Sequence, residues 1–462
     1  MNPFFKKVSF SILGFIFLCS SCSHKKQKSD LSFNIPNKFS NSGKESIPDK
    51  WWEAFEDEKL NSIIEIALDD NFSLKSYWER LEAAKATVKI VKSDLRPDLY
   101  FQTNAQYRNS SGDDPSKEIQ LSLETAYEID LWGRLNSLKK AETLRAESFF
   151  ADYQAAALSL SAEIARLWYQ HIEAQEQTLT LDQQIELNTH FLRLLEIRLH
   201  SGLISVTDVL RQKQLIQNSQ QQLLLEEQKK QLLEYQLAIL MGKAPNSINI
   251  HYSNKLPSLF PLPETGIPAE LIQRRPDIRK TWLSFKAANE EVAAAISNRY
   301  PRINLIGGIS TEGGSSSDLF RDWALSILGS LITPIIDGGE RKAKIKQAHA
   351  IEKELFNNYA QITLEAFAEV ESAITEEYTE NQQLEKISTR LNLSKQTYEQ
   401  LKYEYNNGVS DYLPVLTALR ELQELQRNFI FSKRNLIEKR ISLYRALAGA
   451  FKTPREEKDE SI

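Results

Sequence analysis

The chain has 462 residues, 26% of them charged and 41% hydrophobic, with only 16 Gly and 15 Pro. That composition suits a helix-rich protein with a solvated surface and argues against an all-β or disordered chain. Lys and Arg number 57 against 62 Asp and Glu, for a net charge of −5. No clustered basic face follows from this balance, so nucleic acid is not an expected partner.

The N-terminus has the order of an export signal. Lys6-Lys7 precede the apolar run Val8 to Leu18, and small residues then lead to Cys22. The run is too short for a permanent membrane helix, which disfavours the alternative of a transmembrane anchor. Ser20-Ser21-Cys22 resembles a bacterial lipobox, although Cys19 stands where that pattern usually has Leu. A signal peptide over 1–21 is expected, with Cys22 lipidated. The only cysteines are Cys19 and Cys22, so the mature chain is expected to lack disulfides and Cys-based metal sites. Residues 22–50 are polar and rich in Lys, Ser, Asn and Pro, the composition of an extended tether.

A first helical pattern, from Trp51, ends near Arg96-Pro97, where proline disfavours αR in the residue before it. Two alternating segments follow within 98–130. In the first, Leu99, Phe101, Ala105 and Tyr107 face one side, and Gln102, Asn104, Gln106 and Arg108 the other. In the second, Ile119, Leu121, Leu123, Thr125, Tyr127 and Ile129 alternate with Gln120, Ser122, Glu124, Glu128 and Asp130. Period two with apolar against polar residues predicts strands with one greasy and one wet face. Leu135 to His200 then contains neither Pro nor Gly and predicts a helix of roughly 100 Å. It breaks near Gly202, and Asp208 to Leu240 resumes apolar spacing of three and four.

The pattern then repeats. Trp78 aligns with Trp282, Ala83-Ala84 with Ala287-Ala288 and Pro97 with Pro301, each 204 positions on; Gly202 aligns with Gly408 at 206. A tandem duplication is the reading, with a first repeat over 51–250 and a second over 269–452. The Pro-rich connector 251–268 separates them, and 453–462 is a polar tail. The second repeat places strands within 302–333, the last nearly all apolar. A long helical segment, Arg341 to Asn407, a break near Gly408 and a return from Val415 to Leu447 complete it. A strand of about ten residues is also the length that a transmembrane β-barrel needs. Four strands cannot close a barrel, and open sheet edges are not tolerated in lipid. Copies of the chain are therefore expected to share their strands.

The stretches WWEAFEDEKLNSIIEIALDDN, AYEIDLWGRL, LIQRRPDI, AANEEVAAA and TPIIDGGERKAKI, with the two Gly-centred turns, resemble TolC-like outer-membrane efflux ducts in their NodT-type lipoprotein branch. They run from Trp51 to Gly449. The resemblance implies a mixed, mainly α fold. A trimeric duct would have a 12-stranded transmembrane β-barrel, four strands per protomer, continued by a long periplasmic α-helical barrel. It implies a passive exit duct for an inner-membrane pump of the RND type (or an ABC transporter) and a periplasmic membrane-fusion adaptor, set in outer-membrane lipid. Exit from a type I protein-secretion system is the alternative within the class. A coiled-coil periplasmic spacer lipoprotein is the alternative outside it, and the greasy strands argue against that. Ser23 after Cys22 resembles the outer-membrane sorting pattern.

The resemblance further implies that Gly202 and Gly408 mark the periplasmic tips, where a gate forms and an adaptor docks. Arg198, Leu203, Tyr405 and Val409 fall in the same tip motif, and Thr417 stands where the family commonly has an acidic residue. Asp208 and Asp411 are expected within the first turn of the return helices, either lining the lumen as a carboxylate ring or acting as caps, since Ser205-x-x-Asp208 fits a capping pattern. Trp132-Gly133 and Asp337-Gly338-Gly339 are expected at the strand-to-helix switch, where glycine allows a sharp change of direction and Trp suits the membrane interface.

Catalysis is not expected. The six histidines are scattered without metal spacing, GGSSSD lacks the strand–elbow–helix setting of a nucleophile, and the carboxylates alternate with Lys and Arg on helix faces. No cofactor or metal is implied.

Overall fold

The computed structural model describes residues 33–460 apart from 45, 110, 112–114, 248–252, 254, 260 and 316. The expected signal peptide and Cys22 lie outside the described residues.

A short 3₁₀ turn, Trp51–Phe55, leads into α1 (Glu58–Asp70) and α2 (Phe72–Ser93). Strands β1 (Asp98–Arg108) and β2 (Ser116–Ile129) follow, then α3 (Arg134–His200) and α4 (Val206–Leu240). The second repeat contains α5 (Pro268–Arg274), α6 (Pro276–Ser297), β3 (Arg302–Gly313), β4 (Trp323–Ile332), α7 (Glu340–Asn406) and α8 (Tyr412–Leu447). A last helix, α9 (Pro454–Glu460), occupies the expected polar tail.

Two pairs of helices recur at a fixed offset along the chain. Helices α2 and α6 have 22 residues each, with bounds 204 positions apart. Helices α3 and α7 have 67 residues each, with bounds 206 apart. Both α2 and α6 stop before their prolines. Arg96 N–H donates to Ser93 O and Tyr300 N–H to Ser297 O, so a closing turn ends each helix four residues ahead of Pro97 or Pro301. The return helices begin two or three residues earlier than the leucine spacing indicated, at Val206 and Tyr412.

The chain divides into two units. One is built on Lys89–Glu142 and Phe285–Asn357 and contains the sheet. Its strands run antiparallel in the order β1-β2-β3-β4. Pairing sets Phe101 opposite Leu123, Leu123 opposite Ile309 and Ile309 opposite Leu325. Alternation then gives every odd-numbered position one face and every even-numbered position the other. The odd face carries Leu99, Phe101, Leu121, Leu305, Ile327 and Leu331; the even face carries Gln102, Asn104, Gln120, Glu124, Asn304 and Ser310. The nearly all-apolar β4 is thereby resolved, since Trp323, Leu325, Ile327 and Leu331 join the greasy face. That face is open, with Ile327 81% exposed.

The other unit comprises Ile35–Val88, Thr143–Ser284 and Asn358–Ile462. Its main core gathers Trp51, Trp52, Phe55, Trp168, Tyr169, Leu237, Ile441 and Tyr444. Trp51 stacks on Tyr444 with ring centroids 6.0 Å apart, and Trp168 Nε1 donates to the Asp57 carboxylate at 2.9 Å. Asp57 also caps α1, so one side chain fixes a helix start and a buried indole. Part of the expected tether packs on this unit. Gly43 N–H donates to Pro263 O, and a Cβ on Gly43 would stand 1.5 Å from Leu262 O. Helix α9 is held by the residue before it, Thr453, which meets the buried Tyr153 hydroxyl at 2.6 Å, and by Lys458 on Asp69 at 2.8 Å.

Among the described residues no helix is long and apolar enough to cross a membrane. The sheet, greasy on one face and polar on the other, is the element suited to lipid.

Candidate functional site

Both helix turns are built by the same backbone device. At the first, Leu203 N–H donates to Arg198 O at 3.0 Å and Gly202 N–H to Leu199 O at 2.9 Å. At the second, Val409 N–H donates to Glu404 O at 2.9 Å and Gly408 N–H to Tyr405 O at 3.1 Å. Each pair is a Schellman closure, which needs a left-handed residue after the helix. Gly202 and Gly408 supply it with φ of 72° and 75°. The residue after each glycine ordinarily packs back onto its helix. Here Leu203 and Val409 are instead 73% and 75% exposed. The turns thus present two apolar side chains outward.

Behind them lies an apolar cluster of Phe191, Leu195, Val209, Tyr398, Tyr405, Tyr412, Val415 and Leu419. Arg198 lies over the Tyr405 ring, 4.5 Å from its centroid, a cation–π contact joining the two repeats at the turn. Tyr405 and Tyr412 rings are 5.7 Å apart. Burial, with Tyr405 and Asp208 nearby, holds the Tyr412 hydroxyl above its ordinary pKa; burial likewise pushes Tyr398 up to about 12. Both phenols stay neutral. Tyr412 donates to Gln212 Oε1 at 2.6 Å.

The two aspartates are not equivalent. Asp208 lies in the first turn of α4, half-buried and 3.9 Å from Arg211. Ser205 is the N-cap of α4, as the capping reading expected, its hydroxyl accepting from Thr207 N–H at 3.1 Å. Asp411 precedes α8 as its N-cap rather than standing in the first turn, and its carboxylate makes no capping bond. Counting back 206 positions, its counterpart is Ser205, not Asp208. Asp411 is exposed.

Absent from the sequence expectations is a ladder of buried side-chain amides between α3 and α8. Asn188 Nδ2 donates to Gln423 Oε1 at 3.2 Å, and Gln423 Nε2 returns a bond to Asn188 Oδ1 at 2.9 Å. Gln184 Nε2 reaches Gln423 O at 3.1 Å, Arg427 reaches Gln184 at 2.7 Å, and Gln212 reaches Asn188 O at 2.8 Å. The available signal was spacing: Gln184 and Asn188 on one helix, Gln423 and Arg427 on the other, each pair four residues apart.

The strand-to-helix switches are likewise a repeated construction. Gly133, Gly338 and Gly339 all have positive φ, at 73°, 60° and 90°. Beside Gly133, Asp130 accepts from the Leu135 and Asn136 N–H groups at 3.0 and 2.9 Å and caps α3. Asp337 accepts from Gly339 N–H at 3.0 Å and from the Arg341 guanidinium at 2.8 Å, which holds its carboxyl below the ordinary range. Trp132 donates from Nε1 to Pro301 O at 2.7 Å and stacks on Tyr300 at 4.8 Å, tying the two repeats within this unit. The arrangement orients backbone and holds charge locally, with no group of three or more metal-ligating side chains among the described residues.

Comparison with known proteins agrees in fold and length. The chain is 26% identical over 422 residues to the pyoverdine export outer membrane protein OpmQ of Pseudomonas putida, across 88% of this chain and 89% of that protein. It is 26% identical to Nodulation protein T of Rhizobium leguminosarum bv. viciae, across 95% and 92%. The fold superposes with a TM-score of 0.85 on the open state of the MtrE outer membrane channel of Neisseria gonorrhoeae, 24% identical, across 94% of this chain and 99% of that one. OpmQ is by name an export protein and MtrE an outer membrane channel. Residues 63–243 and 267–449, one segment from each repeat, both match the family described as outer membrane efflux protein, and the chain belongs to that family.

Proposed function

We propose that the chain is the exit duct of a tripartite efflux system, passively passing small molecules from an inner-membrane pump and a periplasmic adaptor across the outer membrane. The outer membrane is its place and efflux its class, as for the family. The observation that carries the duct reading is the sheet. It has one open apolar face, one polar face, and two edges, β1 and β4, each paired on one side only. Lipid leaves no water for an open edge. Closure needs strands of further copies; two of them, the number that the resemblance implies, give a homotrimer whose barrel has its polar face inward. The cargo is read as a small molecule because a relative exports pyoverdine by name; the chain itself is read as non-catalytic.

In this reading the turns at Gly202 and Gly408 form the pump-facing end. Leu203 and Val409 are the apolar contacts offered to the adaptor, with Arg198 and Tyr405 fixing the turn that bears them. Asp411, exposed and free of capping duty, lines the aperture and favours cations; Asp208 supports the turn. Cys22 carries the lipid, and Trp132 marks the periplasmic membrane interface.

Planar-bilayer conductance of the purified protein tests the reading. Discrete trimer-sized channels are expected, with reduced cation preference in Asp411→Asn. A chain that inserts as a monomer without conductance sinks the duct. Unchanged ion preference in the variant removes Asp411 from the aperture and leaves the duct standing.

A further inference from the structure

The β3–β4 connection does not continue straight from its strands. Thr311 belongs to the odd, apolar face of the sheet, opposite Trp323. Its hydroxyl accepts from Phe320 N–H at 3.1 Å and donates to Asp322 O at 2.8 Å. Gly313 lies on the same face, and a Cβ there would sit 3.0 Å from the Asp318 and Leu319 backbone. Two positions of β3 thus independently show the connection folding back over the greasy side.

Phe320 is held in this fold with φ of 78°, among only three non-glycine residues with positive φ in the described chain. A left-handed conformation is costly for a bulky residue. A residue that fits it without strain, Gly or Asn, would serve the turn alone better. Yet the ring is 73% exposed, and Trp323, the first residue of β4, is 69% exposed on the same apolar face. A strained backbone that displays a phenylalanine needs something apolar for the ring to enter. The face it folds over continues into Leu325 and Ile327, the surface read above as meeting lipid, and aromatic residues gather at the ends of such bands.

We propose that Phe320 is an interfacial anchor. Its ring enters the boundary between headgroups and acyl chains at the loop end of the sheet, beside Trp323, and so fixes how deeply this edge of the barrel sits. The proposal rests on the lipid-facing reading of the odd face.

A nitroxide placed by Phe320→Cys in the full-length protein, reconstituted into phosphatidylethanolamine–phosphatidylglycerol vesicles, tests it. The unsubstituted chain accounts for label at Cys19 or Cys22. Ile327→Cys serves as the deep control and Ser317→Cys as the aqueous one. The expected result is an oxygen-to-nickel-complex accessibility ratio several-fold above that at position 317 and below that at 327. A probe at 320 as open to the nickel complex as that at 317 overturns the anchor. So does a probe shielded from both reagents, which would mean packing against a second copy. If the probe at 327 is itself water-accessible, the lipid-facing reading of the sheet fails instead. Phe320→Asn, which tolerates the left-handed backbone, provides an independent arm. Its heat-modifiable transition should fall in vesicles and hold or rise in detergent, where only the relieved backbone strain is read; an equal fall in both assigns Phe320 a purely structural role and overturns the proposal.

Discussion

Asn71 and Arg275 stand 204 positions apart and do the same work, each donating to a carbonyl near the end of its own repeat's return helix. Asn71 Nδ2 reaches Leu240 O at 2.9 Å, and Arg275 Nη1 reaches Ala446 O at 3.0 Å. The substitutes differ in chemistry. Asn71 also caps α2 through Leu74 N–H, whereas Arg275 lies between Asp277 and Glu369, each 2.7 Å away. Asn71→Ala should cost about 1–2 kcal/mol, a lost cap and an unanswered carbonyl. Arg275→Ala should cost about 2–4 kcal/mol, less than for a fully buried pair because both carboxylates keep part of their solvation. Thermal melts of the two variants in detergent would check the order. A larger drop in Asn71→Ala would contradict it.

Glu377 and Arg440 form a two-pronged pair at 2.6 and 2.9 Å with both side chains buried, and Arg440 also holds the connector through Pro261 O at 3.0 Å. Removing one partner strands the other charge. Glu377→Ala is expected to lose about 3–5 kcal/mol and to increase hydrogen exchange in the connector near Pro261. Stability within error of the parent would show that the carboxylate is dispensable.

The glycines divide by what surrounds them. Gly408 has positive φ but open space where a Cβ would go, so Gly408→Ala meets only backbone strain, about 1–2 kcal/mol. Gly242 shares the positive φ, and its Cβ would lie 2.5 Å from Asp70 O. Gly242→Ala should therefore cost clearly more and disturb the packing of α1 beside it. Comparable unfolding temperatures for the two would refute the steric account.

His171 is buried against Glu234, 2.9 Å from its carboxylate. Burial lowers its pKa from the ordinary 6.5, helped by Lys230 and opposed by Glu234. A depressed folded-state pKa means that the unfolded chain takes up the proton first. Stability from this site is present above pH 6.5 and is lost as pH falls below it, toward the folded-state value. The melting temperature should decline between about pH 7 and 5, with a shallower slope in His171→Gln. A slope unaffected by the substitution would place the titration elsewhere.

The long helices were legible because a run of about 66 residues without Gly or Pro leaves little alternative, and the turns because glycine must take the left-handed position. The strands of the first repeat were legible from alternation. The last strand was not, because Trp323, Ala324, Leu325, Leu328 and Leu331 are all apolar, so its two faces become distinct only through pairing with β3. The amide ladder was hidden for a related reason. Gln and Asn on a helix read as solvated until a partner helix covers them.

Sequence alone determined the duplication, the order of elements, the positions of both turns and the amphipathic strands, since these depend on local backbone preference and on period. Tertiary structure decided which side chains meet across the repeats. It put Arg198 on Tyr405 and Asn188 on Gln423, distinguished Asp411 from Asp208, drew Gly43 onto the connector and folded Phe320 over the greasy face. The Arg198, Asn188 and Gly43 contacts each join residues more than 200 positions apart, and only the packed chain sets their register.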